Sequence, residues 1–177
     1  MKLRAATPDD AAAIADIYAH FVRESAVSFE TEPPAEAAIR ARIEGAGRLY
    51  PWLVGEDAGT ILGYAYAARF RDRPAYRFVV ETSVYLRSGA GGRGLGRRLY
   101  EPLLAMLESQ GFTQAIAAIA LPNEASIRLH ERLGFERAGT YRQVGWKLGA
   151  WHDVWLWQRA LAPAANPPAE PKPVRIL

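Results

Sequence analysis

The stretch that most constrains this 177-residue chain is Gly89-Ala90-Gly91-Gly92-Arg93-Gly94-Leu95-Gly96-Arg97-Arg98. An apolar, β-branched run, Phe78-Val79-Val80-Glu81-Thr82-Ser83-Val84-Tyr85-Leu86, precedes it, and a helical pattern from Leu95 to Gln110 follows. Strand, glycine-rich turn and helix make one device. Glycines let backbone N–H groups approach a ligand closely, and the helix N-terminus adds partial positive charge. Such a turn implies a phosphate or pyrophosphate ligand.

The flanks place this unit in a larger order. Thr7-Pro8-Asp9-Asp10 reads as a helix start, with Ile14, Ile17, Tyr18 and Phe21 on one apolar face. After Glu32-Pro33-Pro34 a second short helix runs through Ala38, Ile39 and Ile43, and Gly45 and Gly47 end it. Pro51 to Val54 and Thr60 to Ala68 form a hairpin about Glu56-Asp57-Ala58-Gly59. Arg69 to Pro74 is a polar loop, and Tyr76 to Leu86 a long strand. Beyond the turn and its helix come a buried strand (Ala115 to Ala120), the loop Leu121-Pro122-Asn123 and a helix (Ala125 to Leu133). Two last strands, Phe135 to Val144 and Trp151 to Trp157, follow. The predicted fold is α/β (α+β): a mixed, largely antiparallel twisted sheet flanked by helices, with a central strand–glycine turn–helix–strand crossover. Residues 1–162 form one domain, and the proline-rich 163–177 an extended or disordered tail.

Composition removes several classes. There is no cysteine, so thiolate metal sites and cysteine nucleophiles are out. The three histidines lack ligand spacing, so no metal is expected. A net charge of +3, with arginines spread along the chain, disfavours nucleic acid. Neither a signal core nor a membrane-spanning run is apparent, so a cytoplasmic protein that binds no membrane is expected.

Two generic phosphate motifs match only in part. A P-loop needs Lys then Ser/Thr after its last glycine, where this chain has Arg97-Arg98. A dinucleotide fold wants a carboxylate at the end of the next strand, which here closes on Leu121-Pro122-Asn123. A third pattern fits better. Val84-Tyr85-Leu86, the Gly92-x-Gly94-x-Gly96 turn, Asn123-x-x-Ser126 and Leu129-His130-Glu131-Arg132-Leu133-Gly134-Phe135 resemble the GNAT superfamily of N-acetyltransferases. Val80 to Tyr85, Ala120 to Asn123, Arg128 to Glu131, Gly149-Ala150-Trp151-His152-Asp153-Val154 and Phe29-Glu30-Thr31-Glu32-Pro33 resemble its phosphinothricin and methionine sulfone/sulfoximine acetyltransferase branch. The superfamily usually carries Arg or Gln three residues before the middle glycine of the turn; this chain has Gly91 there.

The resemblance implies acetyl transfer from acetyl-CoA to the α-amine of a small amino-acid-like substrate, by direct attack in a ternary complex. It implies that Val84, Tyr85 and Leu86 pair with the pantetheine arm. Gly92, Arg93, Gly94, Leu95, Gly96 and Arg97 would hold the pyrophosphate. Asn123, Ser126 and Arg132 would complete the cofactor site, and the enzyme would be a homodimer. Rival readings are acetylation of protein N-termini or lysines, a non-catalytic acetyl-CoA sensor, and a nicotinamide oxidoreductase. For catalysis, Glu81 interrupts an apolar strand. By pattern it is equally a buried base with a raised pKa or a solvent-facing edge residue, and the resemblance favours the base. His130 is the second catalytic candidate, sharing the base role or protonating the leaving thiolate; a packed helix histidine is the plain alternative. Arg71 and Arg73 suit a carboxylate clamp, with Phe29 and Tyr76 lining the acceptor pocket, though surface arginines read the same way. Trp151-His152-Asp153 carries no assigned chemistry.

Overall fold

A computed structural model of the chain describes residues 1–174. The elements are β1 (Lys2–Ala5), α1 (Ala11–Glu24), α2 (Glu36–Ala46), β2 (Trp52–Asp57), β3 (Thr60–Arg69), β4 (Val79–Leu86), α3 (Leu95–Gln110), β5 (Gln114–Ala120), α4 (Glu124–Arg132), β6 (Glu136–Lys147) and β7 (Ala150–Ala160). They form a seven-stranded sheet of order β1-β2-β3-β4-β5-β7-β6. Every neighbouring pair is antiparallel except β4 and β5, which the α3 crossover makes parallel. This is the mixed sheet and central crossover expected from the sequence.

Strand alternation divides the core into two layers. Leu53, Ala65, Ala67 and Val80 pack with Leu99, Leu103 and Leu107 of α3. Trp52, Val54 and Tyr64, one position out of phase, pack with Ile14 and Ile17 of α1 and Ile39 and Ile43 of α2. Adjacent residues of one strand therefore serve opposite faces, and the same rule separates Glu81 from Thr82.

Some boundaries differ from expectation. β1 has four residues, too short to show a period in the sequence, and it joins the sheet edge beside β2. Thr7-Pro8-Asp9-Asp10 makes a 3-10 turn before α1, because the Asp10 carboxylate accepts the Thr7 N–H at 2.8 Å and both arms of Arg4 at 2.7 Å. The strand expected from Tyr76 begins at Val79: Pro74 starts a 3-10 turn through Tyr76. β6 reaches Lys147, with register shifts at Arg137/Gly139 and Tyr141/Gly145. Residues 163–174 hold neither helix nor strand. They run along the domain, with Arg77 paired to Glu170 at 2.7 Å, Gln110 donating to Lys172 O and the Val174 N–H to Arg48 O. Residues 175–177 of the expected tail lie outside the described residues.

Candidate active site

The parallel pairing of β4 with β5 covers three rungs only: Val79 with Gln114, Val80 with Ala115 and Glu81 with Ile116. β5 continues against β7 to Ala120, and β4 continues against β3 to Leu86. Between the two strands a wedge opens, and from Ser83 onward the β4 edge facing it has no strand partner. Peptide groups left that way need a ligand or water.

A cavity of about 610 Å³ fills the wedge. Thr82 to Gly89 form one wall, Ala117 to Ala120 another, and α4 with Asn123, Ser126, Arg128 and His130 a third. The glycine turn roofs it. Gly92 and Gly94 adopt φ of 77° and 70°, the left-handed region that only glycine enters freely. That geometry starts α3 at Leu95, and the first helical backbone bond is Arg98 N–H to Gly94 O at 3.1 Å. The N–H groups of Leu95, Gly96 and Arg97 therefore precede the helical ladder, at the positive end of α3. Gly96 has a different reason: a Cβ there would stand 3.2 Å from Leu129, so it allows α3 and α4 to approach.

Most expected cofactor residues line this cavity: Val84, Tyr85, Leu86, Gly92, Gly94, Leu95, Gly96, Arg97, Asn123, Ser126 and Arg132. Arg93 is not on its wall and is exposed. Gly91 is on the wall, and a Cβ there would meet nothing within 4 Å. Asn123 caps α4, its Oδ1 accepting the Ser126 N–H at 3.2 Å.

His130 lines the cavity from α4 and is 3 % exposed. Its Nδ1 lies 2.8 Å from Ser126 O, an acceptor only, so Nδ1 carries the proton and Nε2 the lone pair. The Tyr100 hydroxyl sits 3.2 Å from Nε2 and donates to it. Thr82 Oγ1 in turn stands 2.6 Å from the Tyr100 hydroxyl and 3.3 Å from Ile116 O. Burial holds His130 below the ordinary imidazole range, which keeps it neutral, and pushes the Tyr100 phenol up. Tyr100 and Thr82 were not legible as site residues; a tyrosine on an apolar helix face and a strand threonine carry no pattern.

A second cavity, about 370 Å³, opens on the Glu81 face of the sheet, which the wedge also reaches through Phe21, Val27, Ser83 and Tyr85. Glu81, Arg71, Phe70, Ile116, Ala118, Tyr141 and Leu156 line it. Burial raises the Glu81 carboxyl above its usual range, and the charge of Arg71 works against that rise. A half-buried glutamate facing a cavity replaces the solvent-facing alternative. Arg71 lies 3.5 Å from the Tyr141 hydroxyl. Of the other expected acceptor residues, Arg73, Phe29 and Tyr76 stay off this wall. Arg73 is exposed, Tyr76 packs edge-on to Phe70 with centroids 5.6 Å apart, and Phe29 lies across Gly145 of β6. The two cavities share one residue, Ala118 on β5, just past the last β4–β5 rung. Among the described residues no cluster of three or more metal-ligating side chains occurs, and no helix is long and apolar enough to cross a membrane.

A wedge between splayed strands, roofed by a glycine turn and beside a cavity lined by a carboxylate, is shared with proteins of known activity. The profile of the acetyltransferase (GNAT) domain matches residues 3–156. The phosphinothricin N-acetyltransferase of Streptomyces viridochromogenes is 43% identical over 175 residues, covering 99% of this chain and 93% of that one. The L-methionine sulfoximine/L-methionine sulfone acetyltransferase of Salmonella typhimurium is 37% identical over 170 residues, covering 96% and 99%. The crystal structure of a GNAT superfamily phosphinothricin acetyltransferase from Sinorhizobium meliloti, in complex with AcCoA, superposes with a TM-score of 0.90 at 38% identity, covering 98% of this chain and 94% of that one. The chain belongs to the GNAT acetyltransferase family.

Proposed function

We propose that this chain moves the acetyl group of acetyl-CoA to the α-amine of a small amino acid of the phosphinothricin or methionine sulfone/sulfoximine type. The observation that carries the reading is the meeting of the two cavities at Ala118. Glu81 and Arg71 line one cavity, the wedge lies next to it, and Ala118, two residues past the Glu81 partner Ile116, is on both walls, which suits a carrier in the wedge and a base beside it.

The wedge fits the carrier. Unpaired peptide groups of β4 suit an added strand-like arm, and the glycine turn with the α3 N-terminus suits a pyrophosphate. Bound there, acetyl-CoA supplies an activated thioester. The chain does the rest. Glu81, with its raised carboxyl, takes the proton of the acceptor amine. Arg71 in the same cavity pairs the acceptor carboxylate and orients the amine toward Glu81. A β4 N–H in the wedge polarises the thioester carbonyl. His130 lies on the other face, its Nε2 already accepting from Tyr100, so it does not compete with Glu81 for the amine proton. The freed amine displaces CoA as a thiolate; with Nδ1 held by Ser126 O and Nε2 by Tyr100, His130 lines the wall of the wedge without a free N–H.

The related names support the acceptor class. The exposed Tyr141, Val144, Trp146, Leu148 and Trp151 of the β6–β7 hairpin support a homodimer: Tyr141 also lines the Glu81 cavity, so the apolar surface adjoins the acceptor site. The test is CoA release with phosphinothricin, methionine sulfone, methionine sulfoximine, free amino acids and N-terminal peptides as acceptors. Turnover on the first three is expected. Binding of acetyl-CoA with turnover on the peptides alone overturns the acceptor, and binding without turnover on any overturns the enzyme.

A further inference from the structure

Strand pairing lays out the floor of the Glu81 cavity in rows, because directly opposed residues share a face. Glu81 of β4, Ile116 of β5, Gln158 of β7 and Glu136 of β6 form one row. The next row toward the wedge holds Ala118, Leu156 and Gly139, with Ala138 unpaired beside them in the register shift of β6. Ile116, Ala118, Ala138 and Leu156 all line the cavity, so its floor beyond Glu81 is apolar and made largely of small side chains.

Among the described residues on this wall, charge stands at Glu81 and Arg71. The Arg71 guanidinium lies 4.9 Å from the centroid of the Phe70 ring and 3.5 Å from the Tyr141 hydroxyl, between two aromatic rims. Neighbouring cations are directed elsewhere. Arg69 pairs with Val80 and so faces the other side of the sheet, and Arg77 pairs with Glu170. Arg137 lies 3.9 Å from the centroid of the Trp155 ring, and Lys147 donates to Ser28 O. Arg73 and Arg142 are exposed and off the wall. Glu136, exposed at the outer end of the Glu81 row, adds a second carboxylate.

An α-amino acid brings a carboxylate, an amine and a side chain. With the carboxylate on Arg71 and the amine at Glu81, the side chain meets the apolar rows. An anion placed there gives up water for no partner, and the Glu81 carboxylate repels it. A neutral side chain of the same shape escapes both costs. We propose that this cavity selects its acceptor by side-chain charge, taking α-amino acids with an uncharged side chain in preference to those with an anionic one. The proposal rests on the acetyltransfer reading above and narrows its acceptor.

Methionine sulfone and phosphinothricin give the test, because a methyl sulfone and a methyl phosphinate differ by one charge and hardly in shape. Acceptor Kd is measured by calorimetry on the full chain loaded with CoA, so that the reactivity of the amine does not enter, and KM is measured with acetyl-CoA. The sulfone is expected to bind at least about 10-fold more tightly than phosphinothricin. Phosphinothricin binding as tightly as the sulfone, or more so, overturns the proposal while the acetyltransfer reading stands. Turnover on neither, with acetyl-CoA bound, overturns that reading and this proposal with it. A second arm adds a cation to the floor. Ala138 is exposed on the edge strand β6, so Ala138→Lys leaves the core untouched. Its phosphinothricin Kd is expected to fall by about 3–10-fold, with that of the sulfone changed less than about 2-fold. A phosphinothricin Kd that stays put, or that moves together with the sulfone's, overturns the assignment of these rows to the acceptor side chain.

Discussion

At the scale of single residues, Glu81 and Gly91 make opposite cases. Glu81 is costly to leave half-buried, and its raised carboxyl is what a base near neutral pH needs. Acceptor kcat/KM should climb as pH passes upward through that raised pKa, because only the carboxylate accepts the proton. Glu81→Gln should lower kcat by roughly 10²–10⁴-fold and flatten that limb, read from pH–rate profiles. Unchanged kcat removes Glu81 as the base. Gly91 carries no such constraint. Its φ lies outside the left-handed region and a Cβ there meets open space, so Gly91→Gln should fold normally. Its amide reaches toward the pyrophosphate site, and the acetyl-CoA KM should fall by roughly 3-fold, a few tenths to one kcal/mol of added hydrogen bonding. At Gly92, with φ of 77°, the same substitution should cost about 1–2 kcal/mol and raise that KM. Equal effects at the two positions would show that backbone conformation is not what the turn selects.

At the scale of elements, the site depends on where strands stop pairing. β4 and β5 separate after Glu81 and Ile116, and every ligand-facing group of the wedge lies beyond that rung. The other end of the sheet is held by a charge cluster: Arg4 of β1 binds Asp10 through two nitrogens and Glu56 of β2 through a third at 3.0 Å. The Arg4 guanidinium holds the Asp10 carboxyl below its usual range. A lowered carboxyl contributes stability above its unfolded pKa, and the contribution is lost as pH falls through its folded value. Arg4→Ala leaves the 8 % exposed Asp10 side chain without its partner and should cost roughly 2–3 kcal/mol at neutral pH. In thermal melts the deficit should shrink on acidification, and a deficit constant with pH would rule out Asp10 as its source. Activity per folded molecule should not change, since the cluster touches neither cavity.

At the scale of the whole molecule, the β6–β7 hairpin leaves five large apolar side chains exposed, Trp146 and Trp151 at 59% and 58%. That exposure is the ground of the dimer proposal. Replacing Trp146 and Trp151 together by Glu should convert a dimer to a monomer in light scattering and raise the acceptor KM through Tyr141, while acetyl-CoA binding persists. A wild-type monomer would overturn the dimer proposal.

What the sequence by itself determined was local chemistry. The glycine turn, the Glu81 strand, the Asn123 cap and the His130 helix are readable because each depends on neighbours within a few residues: backbone freedom, alternation, capping and helical spacing. Of the residues that the family resemblance implied for acetyl-CoA, all but Arg93 line the wedge cavity. The acceptor side was legible only for Glu81 and Arg71, since the positions of Phe29, Arg73 and Tyr76 depend on how distant loops pack. Tertiary structure alone decided the rest: the three-rung pairing that opens the wedge, the faces assigned to Glu81 and His130, and the meeting of two cavities at Ala118. It also decided the bonds from Tyr100 to Thr82 and His130. These contacts join residues far apart in the chain. Hydrogen-bond partnership at such separations is set by where strands and helices are brought together in space, and no period in the chain encodes it.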